Sequence, residues 1–126
     1  VSIAAAFAGR WRGEITYGLD QSFSEEFFFR ADGATVIGTA TLLGTKRSIE
    51  DVQMVGETLI FKVRSEDIAE AKAPDKWRYE ARRAGGEIVL TVWDDKGSAP
   101  VGARLHQLKA PYDEGRKSLT DRTNFA

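Results

Sequence analysis

Apolar and polar residues alternate along most of this chain. From Trp11 to Tyr17, Trp11, Gly13, Ile15 and Tyr17 share one side, while Arg12, Glu14 and Thr16 share the other. A period of two marks a strand with one buried face. The next run, Ser22 to Ala31, puts Phe23, Glu25, Phe27 and Phe29 in phase. Ala31 to Gly33 reads as a hairpin turn, because Asp-Gly supplies the positive φ that tight hairpins need. Ala34 to Gly44 is β-branched and places Val36, Gly38, Ala40 and Leu42 on one face. Small residues within a strand predict a bend or a close neighbour. Lys46 to Val55 does not keep one register, since Ile49 and Met54 both read as buried but differ in parity. A β-bulge between them reconciles the two. After Gly56-Glu57, Leu59, Phe61 and Val63 alternate inward; after Asp75, Trp77, Tyr79 and Ala81 do the same. Glu87 to Trp93 and Pro100 to Leu108 complete the set.

The pattern thus predicts an all-β protein of about eight short strands joined mostly by hairpin-length turns. Hairpin-linked neighbours are antiparallel. A meander of this length curls to bury its apolar face, and closure removes the exposed edges. An antiparallel up-and-down barrel over about residues 10–109 is expected, with a sandwich as the rival. Val1 to Phe7 is expected to form a short helix or turn that plugs one end. Ser65 to Asp75 is a helical turn capped by Ser65 or a polar loop, and Asp94 to Ser98 a turn. The polar stretch Ala110 to Ala126 is expected to pack outside the barrel or fray.

Composition narrows the field. The chain has 126 residues, 42% hydrophobic and 29% charged, which suits one globular domain over 1–126. There is no Cys, so disulfides, thiol nucleophiles and thiolate metal sites are excluded. Zero Cys fits the cytosol and exported bacterial proteins alike, so no compartment follows. The 18 basic and 19 acidic residues nearly cancel. The densest basic cluster is Arg78, Arg82 and Arg83, which is too small to predict a nucleic-acid partner. No apolar run approaches the ~20 residues of a membrane-spanning helix. The motifs of the commoner nucleotide-binding and hydrolase sites are missing.

Gly9-Arg10-Trp11 opening the first strand, after a short lead segment and before about eight hairpin-linked strands, resembles the lipocalin-like (calycin) barrels. The resemblance implies that Trp11 lies across the closed end and that an arginine packs over it, with Arg104 the nearest candidate. Gly38 to Val63 is similar to a recurrent bacterial lipocalin-like module, through Ile49, Glu50, Met54, Gly56, Leu59 and Phe61. It implies a fold rather than an activity. Streptavidin-type proteins share the opening pattern, but the Trp and Ser/Thr ladder of a biotin pocket is missing, so biotin binding is not expected.

Candidate chemistry is sparse. His106 is the sole His. It is a possible pocket acid or base, or a solvent-facing residue. One His without Cys excludes the usual zinc sites. Asp94-Asp95 and Asp113-Glu114 are too short for a calcium loop. No metal or cofactor is expected. Glu25 is in phase with buried phenylalanines, and a buried carboxylate needs a partner. Arg83, in phase with Trp77 and Tyr79, is its candidate partner and a head-group anchor at a pocket mouth; the alternative puts both at exposed strand ends. Tyr17, Phe27, Phe29, Trp77 and Tyr79 either line a pocket or make up the core.

The leading expectation is a barrel that binds a small hydrophobic or amphipathic molecule through Tyr17, Glu25, Phe27, Phe29, Trp77, Tyr79 and Arg83. A protein-interaction or inhibitor barrel, acting through its surface or through Val1 to Ala8, is the first alternative. A cyclase- or isomerase-type enzyme with Glu25, Arg83 and His106 as its acid/base set is the second.

Overall fold

The alternation becomes nine strand segments and a 3-10 turn in the computed structural model, which describes residues 3–17, 21–64, 76–94 and 100–108. The turn covers Ala4–Phe7. The segments are β1 (Gly9–Tyr17), β2 (Gln21–Asp32), β3 (Thr35–Leu42), β4 (Thr45–Ser48), β5 (Glu50–Val55), β6 (Thr58–Arg64), β7 (Lys76–Ala84), β8 (Glu87–Trp93) and β9 (Val101–Leu108). All pairings are antiparallel between chain neighbours, except that β1 also pairs with β9 and so draws the meander into a nearly closed barrel. The readings of 65–75, 95–98 and 110–126 lie outside the described residues.

Nine segments replace the eight expected because the fourth run is one chain with two partners. β4 pairs with β3 and β5 pairs with β6, with Ile49 at the bend. The Ile49 amide donates to Gly38 O across the seam at 3.1 Å. The register then slips between Glu50 and Gln53, where Asp51 adopts φ 51°. This slip is the predicted bulge: the extra residue returns Met54 to the side of Ile49. The hairpin turn after β2 is one residue later than expected. Asp32 still pairs with Thr35, so Gly33 and Ala34 make the loop.

The barrel is filled from within by one side of each strand. Trp11, Ile15, Phe27, Phe29, Leu59, Phe61, Tyr79, Ile88, Leu90 and Leu105 are all buried. Each such large side chain contributes about 1.5–3 kcal/mol by leaving water. Gly13 has no room for a larger residue, since a Cβ there would sit 2.4 Å from Arg104 O.

One end is plugged. Ala4 and Phe7 of the 3-10 turn are buried. Trp11 Nε1 donates to Phe7 O at 2.9 Å. The Arg83 guanidinium lies 5.1 Å from the centroid of the Trp11 ring and donates to Ala6 O and Gly85 O. Trp11 therefore lies across the plugged end. The arginine over it is Arg83, not Arg104: Arg104 is on the outer wall, paired with Glu87 at 3.2 Å.

Candidate functional site

Glu25 is the one charged residue found fully buried among the described residues. It occupies an inward position of β2 opposite Gly13. Its carboxylate has four donors. Tyr17 Oη and the Leu43 amide, at 2.8 Å, reach Oε2. Thr41 Oγ1 and the Gly44 amide, each at 2.9 Å, reach Oε1. The set exists because β2–β3 pairing begins at Phe27 and Ala40 and leaves the rest of β2 without that ladder. There Thr41 Oγ1 takes the Glu26 amide at 2.8 Å in place of a backbone carbonyl. Leu43 and Gly44 form the β3–β4 turn with φ of 53° and 82°. A Leu in that region is uncommon and costs energy. The carboxylate holds both turn amides and so offsets the cost, while four hydrogen bonds compensate its own desolvation.

This arrangement corrects the expected Glu25–Arg83 pair. Arg83 has the expected parity but lies one step beyond Ala81, at the plugged end, where it caps Trp11. Glu25 is satisfied by neutral donors and needs no cation. His106 is also corrected as a pocket acid or base. It faces outward on β9, 70% exposed, with Nδ1 2.8 Å from Glu87 Oε2. Glu25, Arg83 and His106 therefore do not form one acid/base set.

The five aromatic candidates do converge. Tyr79 stacks on Phe61 with centroids 4.9 Å apart. Phe27 meets Tyr79 at 6.0 Å and Phe29 meets Phe61 at 5.6 Å, both edge-on. Toward the end opposite the plug, Tyr17 contacts Phe23 at 5.8 Å and Trp77 at 5.4 Å. Phe23 and Trp77 are only half-buried there, as are Val101 and Ala103. Burial, then the hydrogen bond to Glu25, raises the Tyr17 phenol well above its ordinary value. Burial, then the charge of Glu25, does the same to Tyr79. Both hydroxyls therefore keep their protons at neutral pH.

Among the described residues, two buried side-chain polar atoms have no hydrogen-bond partner: Tyr79 Oη and Arg47 Nε. Arg47 was not among the sequence candidates. It stands directly opposite Ala40, which is buried, so it shares the inward face of the barrel wall. The signal was available, because an inward Ile49 puts Arg47 inward by parity.

Grooves on the outer wall include two formed by described residues. One, of about 590 Å³, is lined by Arg10, Glu26, Phe28, Thr39, Lys46 and Leu108. The other, of about 470 Å³, lies over Arg12, Glu14, Arg104 and His106. Their charged groups are largely engaged with one another, Glu26 with Arg10 and Arg12 and Glu87 with Arg104 and His106. Unmet donors lie in the interior instead. Among the described residues, no group of three or more His, Cys, Asp or Glu gathers as a metal site, and no helix is long and apolar enough to cross a membrane. Comparison with known protein families, curated proteins and solved structures gave no match.

Proposed function

We propose that this is a lipocalin-like barrel that binds a small hydrophobic or amphipathic molecule from the end opposite its plug. The observation that carries this reading is the Tyr79 hydroxyl, a buried donor without a partner inside an aromatic wall. A buried unmet donor costs about 1–3 kcal/mol, and a ligand acceptor removes that cost. Half-buried Phe23 and Trp77 supply the apolar contact surface nearer the opening. Apolar lining with a few polar groups is the usual composition of a small-molecule site.

Native mass spectrometry of the gently purified chain tests the reading. A discrete extra mass that leaves on denaturation is expected. A bare mass, together with no saturable change in tryptophan fluorescence on adding amphipaths, would count against it. The Phe27→Ala variant should lose binding by a larger factor than its stability loss explains.

Docking of a protein on the outer wall is the second reading, favoured by Phe28, which is 45% exposed beside the larger groove. The N-terminal route to such docking is less favoured, since Ala4 and Phe7 are buried in the plug. Phe28→Ser should then abolish capture of that partner without altering small-molecule binding.

A further inference from the structure

The polar groups on the inward face divide into paired and unpaired ones. Glu25 has a donor for each lone pair it presents, and Tyr17 gives its hydroxyl to Glu25. The unpaired atoms are Arg47 Nε and Tyr79 Oη. Both are donors, and a guanidinium stays charged in proteins. Arg47 takes part in no ion pair among the described residues. Its Nε is a buried donor left unmet, and such a donor carries a cost that an acceptor removes.

Register brings the two donors to adjoining parts of the lining. Arg47 stands opposite Ala40, and Ala40 stands opposite Phe27. The Phe27 ring in turn lies 6.4 Å from Phe61 and 6.0 Å from Tyr79. Arg47 and Phe27 thus lie in one cross-strand row with Ala40 between them, and the Phe27 ring reaches Tyr79.

We propose that the interior site takes an amphipath with a carboxylate head group, held by Arg47 and given a second hydrogen bond by Tyr79. This rests on the reading of the barrel as a small-molecule binder and names the head-group chemistry that reading leaves open. Arg47 can only donate, and the Tyr79 hydroxyl can donate as well as accept, so a head that only accepts suits both. An ammonium head would meet the Arg47 charge and bring donors where donors are already in excess. Glu25 is already met by four donors, so the inward positive group with an unmet donor is Arg47.

Isothermal titration of the full chain with octanoate, octanol and octylammonium tests the proposal. Octanoate is expected to bind at least about tenfold more tightly than octanol, and octylammonium not at all. Arg47→Met should weaken octanoate by about tenfold or more and leave octanol unchanged, while Arg47→Lys keeps part of the preference. Tyr79→Phe should weaken octanoate about fivefold with no loss of melting temperature, because the hydroxyl it removes has no partner in the free chain. If Arg47→Met does not fold, Arg47→Lys and Tyr79→Phe decide. Equal binding of octanoate and octanol, or a preference untouched by these variants, would overturn the head-group assignment and leave the binding reading standing. No binding of any of the three overturns the assignment as well. If the native mass spectrum then also shows a bare chain, with a water meeting the Tyr79 hydroxyl, the binding reading falls with it.

Discussion

Replacing Glu25 with Gln tests whether the buried carboxylate is a structural clamp. A carboxylate accepts at both oxygens, whereas an amide has one oxygen and one NH2. If the nitrogen takes the place of Oε2, it faces the Leu43 amide; if it takes the place of Oε1, it faces the Gly44 amide. The Tyr17 and Thr41 hydroxyls can rotate, but the two backbone amides cannot. Either orientation loses a hydrogen bond to a charged group, worth about 1.5–3 kcal/mol, and sets two donors against each other, at about 1–3 kcal/mol more. The expected loss is therefore about 3–5 kcal/mol, a large share of the ~5–15 kcal/mol that holds a domain together. Urea unfolding followed by circular dichroism measures it. Tyr17→Phe is the matched comparison. It removes one donor and leaves the Leu43 amide on the same oxygen, so about 1.5–2 kcal/mol is expected. A loss below about 1 kcal/mol in Glu25→Gln would refute the clamp, since no rearrangement of the side-chain hydroxyls rescues a fixed amide.

The remaining predictions concern the tyrosines, the plug and the outer wall. The Tyr17 and Tyr79 phenols are raised above their ordinary 10.0 in the folded chain. Their contribution to stability is complete below the unfolded value and is lost as pH climbs above it, by up to about 1.4 kcal/mol per pH unit for each. Ultraviolet titration should find both silent until the chain unfolds, and Tyr17→Phe/Tyr79→Phe should flatten the alkaline loss. Phe7→Ala should cost about 3–5 kcal/mol, because it empties the plug beneath Trp11. Arg83→Met should cost about 1 kcal/mol through the lost contact with the Trp11 face, and Trp11 fluorescence should shift to the red. His106→Ala should change stability by less than about 0.5 kcal/mol and leave octanoate binding as it was, as expected for an exposed residue outside the barrel.

Much of the fold was legible because alternation is a local signal. Each strand records in its own residues which face is buried, and Asp-Gly or Gly-Gly pairs mark where the chain turns back. The bulge near Asp51 was legible for the same reason, since one extra residue breaks a period of two. The double partnership of the Thr45 to Val55 run was not, because which neighbour a strand pairs with depends on closure of the whole sheet. Parity placed Glu25 and Tyr79 inside, but parity does not measure height along the barrel axis. Arg83 shares the parity of Tyr79 yet lies beyond the last buried layer, at the plug. The Glu25 partners were hidden for another reason. Two of the four are backbone amides of a turn with positive φ, and no side chain at Leu43 or Gly44 announces them. Arg47 shows the converse, since its parity with Ile49 was on view and its charge argued against an inward place.

The central proposal is that ligand enters the barrel rather than settling on its wall. Methyl resonances of the isotopically labelled chain, followed during titration with octanoate, test it most directly. Ile15, Val63 and Val92 are buried on the inward face, whereas Ile37 and Val55 are exposed on the outside. Saturable shifts of the inward methyls, needing about tenfold or more octanoate in Arg47→Met, are the predicted result. Shifts confined to Ile37 and Val55, or none at all, would contradict it.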